Sequence, residues 1–374
     1  MPGADYLVVG GGVIGLCVAW GLATRGERVT VIDARDGPPQ ASTANFGLVW
    51  LQTKGERFPQ YAAWTRRAVD AWPRFADDLR EVSDIDPHYA RTGGLCYCLS
   101  EADWETRRSK VIAMRSAHRV DPYGTEMLTR PELERAMPGI AFGPDVLGAS
   151  WSAQDGTVDP LRLMHALRVG LRRKRVPICR TSPVRKVERQ GQVFHVEAGE
   201  QRWQADRLVL AAGLGNATLA PQLGLYGGVH ADRGQILVTE RVAWRLPMPA
   251  NGMRQSPDGT IMIGSTKEGP ELDVQVTDPR RAAVMARRAT RILPALRHAR
   301  VVRAWAGLRT MSRDSAPVYS RSARTPGAIA INCHSGITLA SLHASALVEW
   351  LCDNAHEGTI ADFSERRFDV PAPA

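Results

Sequence analysis

Residues 5–15 read Asp-Tyr-Leu-Val-Val-Gly-Gly-Gly-Val-Ile-Gly, and an apolar run carries them to Arg25-Gly26 and then to Glu27-Arg-Val-Thr-Val-Ile-Asp33. Tyr6 to Val9 is a short buried-strand pattern. Gly10, Gly12 and Gly15 fall on G-x-G-x-x-G, the turn that joins a strand to a helix in dinucleotide-binding βαβ units. One glycine allows the tight turn, one lets the backbone approach a pyrophosphate, and one lets helix and strand pack closely. The helix that opens at Val13 and Ile14 directs its N–H groups and positive dipole end at the phosphates. Asp33 lies 33 − 10 = 23 residues after the first glycine, near the ~20 expected for an acid that holds a ribose hydroxyl. With Ala34 it marks the ribose end. The acid argues against the 2′-phosphate of NADP and leaves NAD and FAD open. An ordinary, tightly packed βαβ unit is the plain alternative.

The whole chain has 374 residues, which predicts two domains. Its 44% hydrophobic and 23% charged content is that of a soluble globular protein. No run reaches the ~18–20 apolar residues of a membrane span. The first strand begins by residue 6, which leaves no room for a signal peptide and predicts a cytoplasmic location. The six cysteines are scattered, and Cys96-Tyr-Cys98 has no second pair, so neither a metal nor an iron–sulfur site is expected. The net charge of +9 comes largely from arginine runs such as Arg172-Arg-Lys-Arg175 and Arg287-Arg288. These are read as solvated helix faces, with an acidic partner, anionic substrates or nucleic acid as the alternatives.

Further along, apolar residues from Tyr61 to Leu79 recur every three or four positions and predict a helix, kinked at Pro73. Arg35 to Pro39 is a turn, and Ala41 to Gly47 a small, polar loop suited to a flat ligand. Residues 91–100 read as a strand and 101–119 as a charged helix. Thr129 and Asp159 are helix caps with a proline in the following turn. Residues 184–196 form a hairpin pattern. Arg207 to Gly213 is a second buried strand that ends on Ala212-Gly213. Strands follow at 234–239, 260–264, 301–309 and 328–332, with a basic helix at 278–298. Gly336 is expected to open a helix running to about Cys352, and residues 370–374 to fray. The order predicts an α/β chain. A Rossmann-like nucleotide-binding domain is assembled from 1–90, 147–222 and 301–374, and a second α+β domain on a mostly antiparallel sheet from 91–146 and 223–300.

Taken in order, these stretches resemble the D-amino acid oxidase and glycine oxidase family of FAD enzymes. The resemblance rests on the N-terminal glycine motif, Asp155-Gly-Thr-Val-Asp-Pro160, Leu208-Val-Leu-Ala-Ala-Gly213, Arg233-Gly-Gln235, Ile263-Gly-Ser-Thr266, Trp305-Ala-Gly-Leu-Arg309 and Gly336-Ile-Thr-Leu-Ala340. Within the family, Ala44-Asn-Phe-Gly-Leu-Val49 and Cys333-His-Ser-Gly-Ile-Thr-Leu-Ala340 look most like the beta subunits of multi-subunit opine and D-hydroxyproline dehydrogenases and the related subunit of hydrogen cyanide synthase.

The resemblance implies FAD and oxidation of an amino-acid-type amine by hydride transfer to flavin N5. It places Arg309 at the family's carboxylate-binding position, where a planar two-pronged donor suits a carboxylate. Ser42 and Thr43 would reach the pyrophosphate, and Asn45, Phe46 and Gly47 the flavin ring. Val184 would contact the adenine end. Ser335, Gly336, Ile337 and Thr338 would present a helix start to the flavin pyrimidine edge. His334 stands where glycine oxidase carries an arginine, and either lines the active site or caps a turn. Thr310-Met-Ser-Arg-Asp314 lacks the cysteine to which some sarcosine oxidases attach flavin, so the FAD is expected to be non-covalent. Lys267 is either a solvated lysine or an aid to oxygen reduction. A dehydrogenase of this branch would pass electrons to partner subunits carrying iron–sulfur or further flavin centres. A self-sufficient oxidase of glycine, sarcosine or a D-amino acid is the alternative. A tRNA-modifying flavoprotein is disfavoured by the lack of an aromatic-plus-basic patch.

Overall fold

The computed structural model describes residues 4–34, 41–117, 124–269 and 277–369. The turn expected at 35–39, the last two residues of the 101–119 helix and the tail 370–374 lie outside them.

The opening pattern folds as read: strand β1 (Ala4–Val9), helix α1 (Val13–Thr24) and strand β2 (Val29–Ala34). β1 and β2 run parallel from Tyr6 beside Val29 to Val9 beside Ile32. β1 also pairs in parallel with Gln201–Leu210, and that strand with Ala328–Asn332. The strand Ile178–Thr181 joins the other side of β2, and Val318–Arg321 closes the opposite edge. The resulting eight-stranded sheet includes the hairpin formed by Lys186–Gln190 and Val193–Ala198. Where its central strands lie side by side, at Leu7–Val9, Leu208–Leu210 and Ala328–Ile331, they are apolar and buried, as strands covered on both faces must be. α1 is apolar nearly all round and almost wholly buried, the signature of a helix enclosed by its neighbours.

α2 (Pro59–Ser83) buries the periodic face of Tyr61, Trp64, Ala68, Trp72, Phe75 and Leu79. It runs without interruption through Pro73, so the expected kink does not break it. Asp159 caps the helix Pro160–Arg173 by accepting from the amides of Leu161 and Arg162. Thr129 caps Arg130–Ala136 in a reciprocal arrangement in which Glu132 accepts from the Thr129 amide at 2.7 Å.

A second, antiparallel group holds Met253–Gln255, Thr260–Gly264, His230–Arg241 and Val301–Met311 in that order. A three-stranded antiparallel group, Gly94–Cys98, Gly148–Ser152 and Thr125–Thr129, touches it where Leu95 bridges Ala250. Two expected domain boundaries shift as a result. Residues 301–311 were assigned to the nucleotide-binding pieces, yet they pair along their length with 230–241. Residues 148–152, likewise assigned there, pair with 94–98 and 125–129. Apolar periodicity marks these stretches as strands; strand pairing decides which sheet they join. Among the described residues no helix is long and apolar enough to cross a membrane.

Candidate active site

The ends of β1, β2 and Gln201–Leu210 open on one cavity of about 330 Å³. Its wall includes Gly10, Gly12, Val13, Ile14, Asp33, Ala34, Ser42, Asn45, Val184, Ala212 and Gly213, all singled out from the sequence. Gly10 is held at φ +114°, and a Cβ there would meet the Ala211 carbonyl oxygen at 2.3 Å. Only glycine tolerates both the backbone angle and the close approach. Gly15 stands behind the wall, and a Cβ on it would strike the Gly10 oxygen. Asp33 accepts from the Gly11 amide through Oδ1 at 2.9 Å, and no described residue donates to its Oδ2. The Val13 amide donates to Ser42 Oγ at 2.9 Å, while no acceptor in the described chain takes the amides of Gly12 or Ile14. Asn216, which the sequence reading missed, ties the strand ends together by bonding Asn332 at 2.9 Å and the Ala212 amide at 3.1 Å.

A second cavity of about 210 Å³ adjoins the first, and both are lined by Ala41, Asn45, Leu308, Thr310, Cys333, His334 and Ile337. It carries Phe46, Arg309, Ser335 and Thr338 from the expected set, together with Trp50, Thr53 and Lys54. Thr43 and Gly47 line neither cavity. Gly47 acts as backbone support at φ +84°, its amide donating to Asn45 Oδ1 at 2.8 Å.

Two expectations change in detail. The first concerns 334–339, which is a run of turns; regular helix begins only at Ala340–His343 and resumes at Ala346–Asp353. Tertiary bonds hold this segment. Tyr61 donates to Ser335 Oγ at 2.6 Å, Trp72 to the Thr338 carbonyl at 2.9 Å, and Thr338 to the Leu48 carbonyl at 3.3 Å. The two hydroxyls and the Thr338 carbonyl are thus engaged by α2 and by the residues just before Trp50, while the Ser335 carbonyl keeps a single helical-type bond from the Leu339 amide at 2.9 Å. Gly336 still reaches the first turn of α1, since a Cβ on it would lie 3.0 Å from side-chain carbons of Val13 and Ile14.

The second concerns Arg309, whose fork is already engaged. Nη1 donates to Asp232 Oδ2 at 2.9 Å and to the Arg233 carbonyl at 3.2 Å; Nη2 donates to Ser265 Oγ at 2.7 Å and to the Thr266 carbonyl at 2.8 Å. Gly234 gives the guanidinium its room, because a Cβ there would lie 2.2 Å from Nη2. Arg309 lines the cavity as expected, yet its geometry is that of a clasped cation with its charge offset by a carboxylate.

His334 stands where the two cavities meet. Burial, then the charges of Lys54, Arg309 and Lys267, hold its pKa well below 6.5, so the ring is neutral at physiological pH. Lys54 came with no motif. Burial pushes its ammonium down to about 8, with Lys267 and Arg309 adding repulsion and Cys333 and Asp155 opposing it. Asp155 fixes the backbone just before it, accepting from the Leu51 amide at 2.5 Å and from Gln52 Nε2 at 2.7 Å. Burial raises the Asp155 carboxyl to about 7. Lys267 is exposed. Among the described residues no cluster of His, Cys, Asp or Glu is built to hold a metal.

Residues 5–350 match the family model of FAD dependent oxidoreductases (DAO). The chain belongs to this family. As a DAO-family enzyme it depends on FAD and oxidises amino-acid amines. It is similar to an opine oxidase subunit of Agrobacterium tumefaciens (strain Ach5), 38% identical over 366 residues covering 97% of each chain. It is also similar to the corresponding opine oxidase subunit of Rhizobium meliloti, 37% identical over 98% of each. Its fold matches the crystal structure of glycine oxidase from Geobacillus kaustophilus with a TM-score of 0.84, at 22% identity over 93% of this chain and 94% of that one. The cavity wall fits the cofactor. Gly10 allows a backbone approach that a side chain would block, the first turn of α1 offers open N–H groups, and Asp33 keeps an oxygen for a hydroxyl.

Proposed function

We propose that the chain is the amine-oxidising subunit of a heteromeric dehydrogenase, acting on an opine, D-hydroxyproline or a similar secondary amine, with FAD bound non-covalently. The observation that carries this reading is the junction of two cavities at His334. One is shaped for the dinucleotide by the glycines and Asp33; the other is lined by Lys54 and Arg309. An anionic amino acid would occupy the second and present its amine-bearing carbon at the junction.

In this reading the bound flavin supplies the hydride acceptor. Gly10, Gly12, Ile14 and Ser42 hold its pyrophosphate and Asp33 its ribose. Asn45, Phe46, Gly336 and Ile337 position the ring, and Ala212, Gly213 and Val184 enclose the rest. The substrate amine must be neutral before hydride can leave its carbon. A neutral His334 imidazole can accept a hydrogen bond from the N–H of the neutral amine at that point, orienting it without placing a positive charge beside it. Arg309 and Lys54 give the carboxylate a cationic wall.

The test is anaerobic mixing of the purified chain with glycine, sarcosine, D-proline, cis-4-hydroxy-D-proline, octopine and nopaline, following flavin bleaching. Bleaching by a secondary amine, with little peroxide on admitting air, is the expected result. Vigorous peroxide formation by the isolated chain would replace the dehydrogenase reading with that of a stand-alone oxidase.

A further inference from the structure

A third cavity, a cleft of about 200 Å³, shares no lining residue with the two described above. Thr157 and Asp159, just before the helix Pro160–Arg173, line it together with Arg245 and with Arg254 of the strand Met253–Gln255.

Arg254 sets this cleft apart. The residue is 5% exposed, and its Nε–H donates to the Phe46 carbonyl. Neither Nη finds an acceptor among the described residues, and no carboxylate there pairs with the guanidinium. Arg309 and Arg233, on strands of the same sheet, are instead paired with Asp232 at 2.9 Å and with Glu268 at 2.8 Å. Burial lowers the Arg254 pKa, and the charges of Asp159 and Asp258 offset only part of that effect. Asp159 is engaged elsewhere, its Oδ1 accepting from the amides of Leu161 and Arg162 at 2.9 and 3.0 Å.

The guanidinium is also fixed in place. Its central carbon stands 6.0 Å from the centre of the Phe46 ring, and a Cβ on Gly47 would lie 3.2 Å from Nη2. Both Nη nitrogens nevertheless keep accessible surface, and the cleft is the one of the three cavities that Arg254 lines. The unmatched donors and the charge are thus presented to it. Leaving a buried guanidinium unmatched is costly unless an acceptor arrives, and its planar fork suits an oxyanion.

We propose that this cleft binds a small oxyanion, a carboxylate or a phosphate group, with Arg254 as the deep ligand and Arg245 at the mouth. Arg245 is exposed and is steadied by its Nη1 bond to the Pro257 carbonyl at 3.0 Å. Thr157 adds a hydroxyl that bonds no described residue. The site is separate from the one that takes the amine, and it does not rest on the functional reading above.

The test is calorimetric titration of the flavin-loaded chain, in which the dinucleotide cavity is filled, with inorganic phosphate and with acetate. Chloride holds the ionic strength constant, so that screening is the same throughout. One saturable site per chain is expected for at least one of the two anions; tighter phosphate assigns a phosphate group as the natural ligand, and tighter acetate a carboxylate. Arg254→Met should weaken that site by about tenfold or more, the range of one charge-assisted contact at a buried group. Arg254→Lys keeps the charge without the fork and should weaken it less. Arg245→Met, at the exposed mouth, should weaken it by about two- to fivefold. Lys54→Met, which alters the second cavity, should leave it in place. If Arg254→Met fails to retain flavin, Arg254→Gln takes its place in the comparison. No saturable binding of either anion, binding that survives loss of the Arg254 charge, or binding that disappears with Lys54→Met overturns the site.

Discussion

Replacing Arg309 by methionine distinguishes a structural clasp from a substrate clamp. The guanidinium makes four contacts, to Asp232, the Arg233 carbonyl, Ser265 and the Thr266 carbonyl. Its ion pair with Asp232 is largely enclosed, with side-chain exposures of 19% and 14%. Removing one member of a fully buried pair costs about 3–5 kcal/mol. The residual exposure lowers that figure, as do the amides of Glu268 and Gly269, which still donate to Asp232 at 3.3 and 3.1 Å. We expect a loss of about 2 kcal/mol. An unfolding entropy of about 2.1 cal/mol/K per residue gives roughly 0.8 kcal/mol/K for a 374-residue chain, so the melting temperature should fall by about 2–3 °C. Asp232→Asn combined with Arg309→Met leaves no stranded carboxylate and should recover part of the loss. Calorimetry of the three variants measures this, and titration with (methylthio)acetate, in which sulfur replaces the amine so that no hydride can be transferred, reads the clamp. If Arg309 also holds a carboxylate through Nε–H and its charge, both Arg309 variants lose affinity by about tenfold or more while Asp232→Asn does not. An Arg309→Met chain that melts with the parent refutes the clasp. One that binds the acid as tightly as the parent refutes the clamp, and a double variant as unstable as the single refutes the pairing argument.

Gly10→Ala should purify without flavin and lose about 3 kcal/mol or more, because the φ of +114° and the 2.3 Å approach to the Ala211 oxygen leave no place for a methyl group; normal flavin content would refute this. Asp155 has a folded-state pKa near 7, above its usual 3.8. The folded chain therefore holds a proton that the unfolded chain releases between those values, and stability should fall as pH rises from about 4 to 7. Urea unfolding should show the parent losing stability relative to Asp155→Asn between pH 5 and pH 8, and an unchanged difference would show that Asp155 ionises normally. Lys54, near 8 when no ligand is bound, should make (methylthio)acetate affinity fall as pH rises through and above that value, since the cation is lost. The groups acting on it are Asp155, Lys267, Arg309, Cys333 and His334; burial holds Cys333 near 12 and His334 well below 6.5, so neither titrates in that limb. Lys54→Arg should carry the limb out of the measurable range, and a limb that stays in place would assign it to another group.

Much of the fold is legible in the sequence because it is encoded by neighbours. Residues 5–33 carry a strand, a glycine turn, a helix and a second strand within one covalent stretch, and local preference with apolar periodicity suffices to read them. The same holds for the caps at Thr129 and Asp159, where a side chain reaches amides two or three residues away. The cofactor end of the site was legible for this reason: Gly10, Gly12, Ile14, Asp33 and Ala34 sit in the wall because the turn places them there.

The substrate end was not. Arg309 is identifiable by its motif, but its clasp by Asp232, Ser265 and Thr266 depends on a strand pairing and a loop far away in sequence. Lys54 and Trp50 belong to no periodic pattern, and nothing local shows that one is left without a carboxylate and the other without an acceptor. The helix expected at Gly336 becomes a run of turns because Tyr61, Trp72 and Leu48 supply partners that the local sequence does not contain. The sequence alone thus determined where the dinucleotide-binding turn lies and which segments are strands and helices, since bonds within a few residues decide both. Tertiary structure alone decided which sheet each strand joins and which cations are already neutralised, because each of those depends on which distant group the folded chain brings within hydrogen-bond reach.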